Sequence, residues 1–432
     1  MATSTRQQAV PLAPILSVVF IGTLGFSIVL PFLVFLVLRL GGNAFAYGLV
    51  GATYSAFQLV GAPILGRWSD RYGRRRILLL SQFGTFLSWA LFLLALSLPV
   101  TPLLDIGGPA IGTFTLTVPL VLLFTARALD GLTGGNVSVA NAYVADVTAE
   151  KDRSASFGRM AVAQNLGFVA GPAIAGLLGA TPWGEIAPVT AALTVSAAAL
   201  VLIGMRLPES RPCLWVDRPQ PAYIGKLLGQ EQRNCHEVQG DHRPGLQHVF
   251  RLPNVGLLLT IHFLIYLAFN FFYVAFPVHA ATGLGWSLRG VGFFFSYLSV
   301  LMVIVQGPVL RAASRRVSDR ALVRVGGIIL ACSFLLFAVE SAWVLALGAA
   351  ILALGNGLMW PSLLSLLSKA AGPSAQGATQ GIAGSASAVA SIAGLVVGGV
   401  FYGLLGETVF VLAGLIVGVA WMASWGLPST TG

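Results

Sequence analysis

Two ionisable residues three apart, Arg127 and Asp130, sit in an apolar stretch reading "RALDGLTGGNVSVANAYVAD". At that spacing both side chains fall on one helical face. In a span where charges are costly, each needs a partner or a wet cavity. A carboxylate placed there can hold a proton, with an affinity set by water access and by the neighbouring guanidinium; a permanent structural ion pair is the alternative. A second concentration of charge is "GRWSDRYGRRR", from Gly66 to Arg76, which has a lone acid, Asp70, among its arginines. The arginines would hold this loop on the anionic side of a membrane. Gly73 permits a tight turn, and Asp70 is too near the membrane to stay unpaired cheaply. A basic topology anchor alone would explain the arginines but not the acid.

The elements that must position these residues are membrane helices. Of 432 residues, 56% are hydrophobic and 9% charged, against roughly 45–50% and 25% for soluble domains. A spanning helix needs about 20 apolar residues, and that ruler predicts twelve. They fall near residues 12–38, 46–66, 76–99, 117–145, 154–180, 186–206, 253–280, 289–311, 321–339, 342–369, 377–404 and 407–427. The fold class is therefore an all-α membrane protein. The first apolar run is too long for a signal-peptide core. Of 25 Lys and Arg, only Arg39 and Arg289 fall in one set of loops and Arg127 within a span, so the termini are expected on the cytoplasmic side.

Internal similarity divides the chain. Val60–Leu65 aligns with Val305–Leu310 at an offset of 245, continuing to Arg71 against Arg316, and Gly158, Gly171 and Gly176 align with Gly381, Gly394 and Gly399 at 223. The offset drops because the connection around Val100–Thr115 is longer than its counterpart. Two parallel six-helix repeats follow: residues 1–207, a polar cytoplasmic linker at 208–252, and residues 253–432. Whether the linker folds against the inner face stays open.

The basic residues cluster between spans without a soluble binding face, which excludes nucleic acid as a partner. Cys213, Cys235 and Cys332 have no repeated spacing; with His236, His242 and His248, Cys235 reads as part of a solvated loop and not as a metal site. No metal, cofactor or catalytic cluster is indicated, so the chain is not expected to be an enzyme.

These motifs resemble the major facilitator superfamily, and within it the twelve-helix drug:proton antiporters that include the tetracycline exporters. The loop signature between the second and third spans is matched by Gly66, Asp70, Arg71, Gly73, Arg74 and Arg75. The resemblance implies a cytoplasmic gate in which Asp70 acts with Arg74 and Asp146, and a proton-coupling role for Arg127, beside which the residues themselves suit Asp130 to bind the proton. In the fifth span "NLGFVAGPAIAGLLG" supplies Gly167, Gly171, Pro172 and Gly176, similar to the antiporter signature; glycines four apart allow close helix approach and Pro172 bends the span. One departure concerns the first span, where Gly22 stands in place of the tetracycline exporters' acid. That argues against tetracycline and moves the coupling role toward Asp130.

Asn141, Asn270, Tyr273, Asn356 and Trp360 are polar or aromatic residues in apolar spans; each could serve helix packing, or together they could line an amphipathic substrate cavity. The resemblance implies a proton-coupled exporter of small amphipathic compounds in a bacterial inner membrane, working by alternating access. Its partners would be the substrate, protons and the lipid bilayer, and a monomer would suffice because the cavity lies between halves of one chain. The alternatives are an importer or facilitator of a sugar or other metabolite, and a membrane receptor or scaffold that does not transport.

Overall fold

In a computed structural model the described residues are 12–134, 136–148, 153–210 and 251–427. They form helices α1 (Ala13–Arg39), α2 (Ala44–Tyr72), α3 (Arg74–Ser97), α4 (Val118–Thr133), α5 (Asn136–Val147), α6 (Arg153–Gly179) and α7 (Ile186–Arg206) before the break. After it come α8 (Val255–Val278), α9 (Leu288–Ile304), α10 (Leu310–Ser314), α11 (Asp319–Leu336), α12 (Ala342–Leu405) and α13 (Thr408–Ala423). Most of the predicted linker, 211–250, lies outside the described residues.

Ten helical segments among these are long and apolar enough to cross a bilayer, or eleven when α1, bent by 46° between Val29 and Phe32, counts as one span. The ninth expected span corresponds to α11, which is 18 residues long. It carries Asp319, Arg320 and Arg324 and is not among them. The fourth expected span is among them as Val118–Val147, with its helix interrupted after Thr133 at Gly134. The tenth and eleventh are both supplied by α12, as Ala342–Ala371 and Thr379–Leu405. A straight helix of its 64 residues would run about 96 Å, three bilayer cores. Trp360 and Ser387 both touch the His262 ring, so α12 doubles back between them.

The all-α expectation needs one addition. The long connection before α4 is a hairpin, β1 (Pro102–Gly108) antiparallel to β2 (Gly112–Thr117). Gly112 turns it at φ +66°, and Asn43 ties its tip down by donating to the carbonyls of Ile111 and Thr113. A two-stranded hairpin is marginal alone in water, so this anchorage supplies what its own pairing lacks.

The glycines aligned by the repeat pack alike. A Cβ at Gly171 would meet Ser27 and Ile28 of α1, and one at Gly394 would meet Asn270 and Leu267 of α8. Gly176 lies against Gly292 of α9, and Gly399 against Ala44 of α2. Each repeat thus uses one glycine to approach its own first helix and another, five residues on, to approach a helix of the other half.

Candidate functional site

Helices α2 and α12 meet closely near the hairpin. A Cβ at Gly48 would lie 2.1 Å from the Leu395 carbonyl oxygen, and Tyr47 donates to the Tyr273 carbonyl across the same seam. With the Gly176–Gly292 contact, these seal the hairpin end. Toward the opposite, arginine-rich end the same helices diverge. A cavity of about 900 Å³ there is lined by Leu59, Ala62 and Asp70 on one side and by Gln380, Gly381 and Ser385 on the other.

Two further cavities adjoin it inward. One of about 470 Å³ shares Gln58, Gly134, Val137, Gly384 and Ala388 with the wide mouth and reaches Asp130. The other, about 340 Å³, shares Tyr54, Gln58, Phe168 and Tyr266 with it and reaches Arg127, Asn270, Tyr273, Asn356 and Trp360. Among the described residues the molecule is therefore closed at the hairpin end and open at the arginine-rich end.

Arg127 and Asp130 are both buried, and Arg127 Nη1 stands 3.4 Å from Asp130 Oδ2. That is a loose pair, and each partner has other contacts. Thr85 Oγ1 donates to Asp130 Oδ1 at 3.0 Å. The guanidinium lies over the Tyr54 ring at 4.5 Å, a distance at which the π face attracts a cation. Its Nε is buried without a hydrogen-bond partner. The pair is therefore not locked into a closed bidentate fork, and its carboxylate borders the cavity. A proton could reach this carboxylate by way of the cavity.

At the arginine-rich face, Gly73 adopts φ +99°, a backbone that glycine accepts without strain. This turn starts α3 with Arg74, whose side chain contacts Asp70 at 2.6 Å and Asp146 at 3.1 Å and donates to Ser69. The structure thus brings Asp70, Arg74 and Asp146 together, whereas Arg71 turns aside over Tyr72. Glu209 accepts from the backbone N–H groups of Arg74 and Arg75, and Ser210 donates to Asp146. A carboxylate at a helix N-terminus satisfies donors that the helix leaves open. Glu209 falls at the edge of the segment the sequence treats as uninformative, and no spacing links it to Arg74.

The offsets of the two repeats carry a further correspondence. Arg74 plus 245 is Asp319, and Asp146 plus 223 is Lys369. Lys369 Nζ meets Asp319 Oδ2 at 2.6 Å, so the second half has the equivalent ion pair with its charges exchanged. The environments differ: the side chains of Arg74 and Asp146 are 9% and 5% exposed, those of Lys369 and Asp319 70% and 20%. We expect Asp319→Lys combined with Lys369→Asp to keep the melting temperature of the solubilised protein and its transport near wild type, since an exposed pair contributes at most about 1 kcal/mol. The swap Arg74→Asp with Asp146→Arg should fail in both measurements, because Asp70, Ser69 and Glu209 stay arranged for a cation at position 74.

Of the cavity residues expected from sequence, Asn270, Tyr273, Asn356 and Trp360 line the innermost cavity, while Asn141 lines the wide mouth. Gly167 and Gly171 pack on α1, where Ser27 donates to the Gly167 carbonyl. Pro172 lies within α6, and Gly176 faces α9. The sequence reading passes over Tyr54, Gln58, Thr85, His262 and Tyr266. A tyrosine or histidine in an apolar span is a weak signal by itself, and it is the convergence of spans that gives these five their place.

Comparison with known proteins agrees with this geometry. The model of the Major Facilitator Superfamily matches residues 15–320 and 258–431. The chain is 29% identical to the tetracycline resistance protein, class D, of Salmonella ordonez, over 81% of this chain and 77% of that one. It is 25% identical to multidrug resistance protein 1 of Bacillus subtilis, over 99% and 100%. Among solved structures, the human organic anion transporter MFSD10 (TETRAN) superposes with a TM-score of 0.66 at 22% identity, covering 97% of this chain and 99% of that one.

Proposed function

The chain belongs to the major facilitator superfamily, is a multi-pass membrane transporter and not an enzyme, and on that premise we propose that it exports small amphipathic compounds, drugs among them, in exchange for protons. One observation carries the reading. The buried Arg127–Asp130 pair is loosely made and opens onto a cavity walled by aromatic rings and amides from both repeats. The relatives known as tetracycline and multidrug resistance proteins support export as the direction.

Residues 1–207 and 253–432 act as two units that rock about the cavity, joined by the linker at 208–252. The arginine-rich face is cytoplasmic, as the positive-inside rule requires, and the membrane is a bacterial inner membrane. With the cavity open to the outside, Asp130 takes a proton and its hold on Arg127 weakens. Arg127 keeps the Tyr54 face and turns its donors to the cavity. Reorientation to the form open at the arginine-rich face lets Asp130 lose its proton and restore the pair while substrate loads. Asp70, Arg71, Gly73, Arg74 and Asp146 shape the inner gate, with Asp70 lining the wide mouth that Gln380 and Gly381 line from the other half. A proton gradient supplies about 1.4 kcal/mol per pH unit, so each proton carried per cycle sustains about a tenfold substrate ratio for each unit. The transporter works as a monomer, since one chain encloses the cavity.

Cells expressing the chain should accumulate less of at least one fluorescent amphipathic dye than cells lacking it, and the difference should vanish when a protonophore collapses the gradient. Equal accumulation across a panel of cationic, neutral and tetracycline-like compounds would count against export. Accumulation greater than in control cells would mean import.

A further inference from the structure

His262 is an ionisable side chain directly behind the cavity wall, against the lining residues Trp360, Tyr266 and Ser387, to which the proposed cycle gives no part. It sits on α8, 3% exposed. One ring nitrogen, Nε2, is 2.7 Å from Ser387 Oγ. The other, Nδ1, is buried without a hydrogen-bond partner. The ring lies between two others: Trp360, with centroids 4.9 Å apart and planes at 33°, and Tyr266, at 5.8 Å and 17°. Those two rings line the innermost cavity, and Tyr266 and Ser387 line the one that Asp130 reaches from the opposite half. The second repeat thus holds, one layer behind the shared cavity, an imidazole, the side chain whose charge changes nearest neutral pH.

We propose that His262 is a second proton-binding site of this transporter, held in the second half opposite Asp130; the inference rests on the reading of the chain as proton-driven. A buried imidazole gains a proton only where something offsets the lost hydration. Here two π faces lie within about 6 Å, the range over which a ring attracts a cation, and the Ser387 oxygen accepts the Nε2 proton. The incoming proton forms its bond at Nδ1, whose lone pair is unused when Nε2 carries the hydrogen. The titratable group against the ring is Tyr266 on its own helix, and the cavities on the far side of Tyr266 and Ser387 are lined by Tyr54, Arg127 and Asp130. Asp319 and Lys369 share a pocket with Leu258, one turn nearer the arginine-rich face. Among the described residues no carboxylate pairs with His262, so its proton is held by ring faces, a hydroxyl and the backbone carbonyl of Ala383. Two sites of unlike chemistry, a carboxylate in one repeat and an imidazole in the other, make the proton number per cycle two.

The contact with Trp360 makes the proton directly readable, because an imidazolium quenches an adjacent indole far more than a neutral imidazole does. The chain has nine tryptophans, so the emission of Trp360 is taken as the difference between the full-length protein and Trp360→Phe, both in nanodiscs without substrate. That emission should fall about twofold or more from pH 8 to pH 5. The fall should be absent in His262→Gln and should move to lower pH by about one unit in Ser387→Ala, since a hydrogen bond to a charged ring is stronger than one to a neutral ring. In liposomes, protons moved per substrate should drop by half in His262→Gln. Trp360 emission that is flat with pH, or that steps identically in His262→Gln, overturns the proposal. A clear step that disappears in His262→Gln, together with substrate flux that moves no protons in wild type, would keep the binding site and overturn proton-driven export.

Discussion

Asp130→Asn is expected to uncouple export from the pH gradient and to destabilise the protein as well. Asparagine keeps the volume and can still accept from Thr85, but it removes the charge that faces Arg127. Taking one partner from a buried pair costs about 3–5 kcal/mol, because the remaining charge is left uncompensated. The Tyr54 face and the wet cavity beside Arg127 offset part of that, so a loss toward the lower end is expected. Arg127→Gln combined with Asp130→Asn should recover most of the stability, since no lone charge remains, and should stay uncoupled. Thermal melts of the two variants in detergent, set beside gradient-driven flux, separate a structural pair from a coupling pair. If the double variant regains both stability and coupled export, the pair is structural.

Gly48→Val should produce the second large effect, by preventing the hairpin end from closing. The added Cβ would lie 2.1 Å from the Leu395 carbonyl oxygen, and that neighbour is backbone, which no rotamer change can move. Helices α2 and α12 must then separate at the seam that seals this end. Overpacking of this kind costs about 1–3 kcal/mol, which shifts the population of the form seen here by about five- to 150-fold. The protein should lie mostly in the form open at the hairpin end. A cysteine at Ser385 in the wide mouth should then react at least about fivefold more slowly with a reagent applied from the arginine-rich side. Gly418→Ala, where an added Cβ meets nothing within 4 Å, should leave labelling unchanged. Equal labelling of Gly48→Val and wild type would mean that this seam does not set the state.

Both predictions show what was legible in the sequence. The Arg127–Asp130 pair stood out because two charges in an apolar span are rare, and Gly171 and Gly176 because small residues at helical spacing imply close approach. Thr85, Tyr54 and His262 did not stand out, because their meaning lies in which helix faces which, and periodicity within one span says nothing of its neighbours. The exchanged pair, Asp319 with Lys369, was within reach of the two repeat offsets; it is hidden from any search for like residues because its charges are inverted. The break at Gly134 was obscured by the apolar residues on either side, which satisfied the length rule for a single span.

The most direct test of the account uses purified protein in liposomes with a pH dye inside and a pH gradient imposed, to which cationic, neutral and tetracycline-like compounds are added in turn. The account predicts that at least one compound drives proton movement in wild type, and that this movement disappears in Asp130→Asn while that compound still binds. Flux of a compound with no proton movement, or proton movement that survives intact in Asp130→Asn, would contradict it.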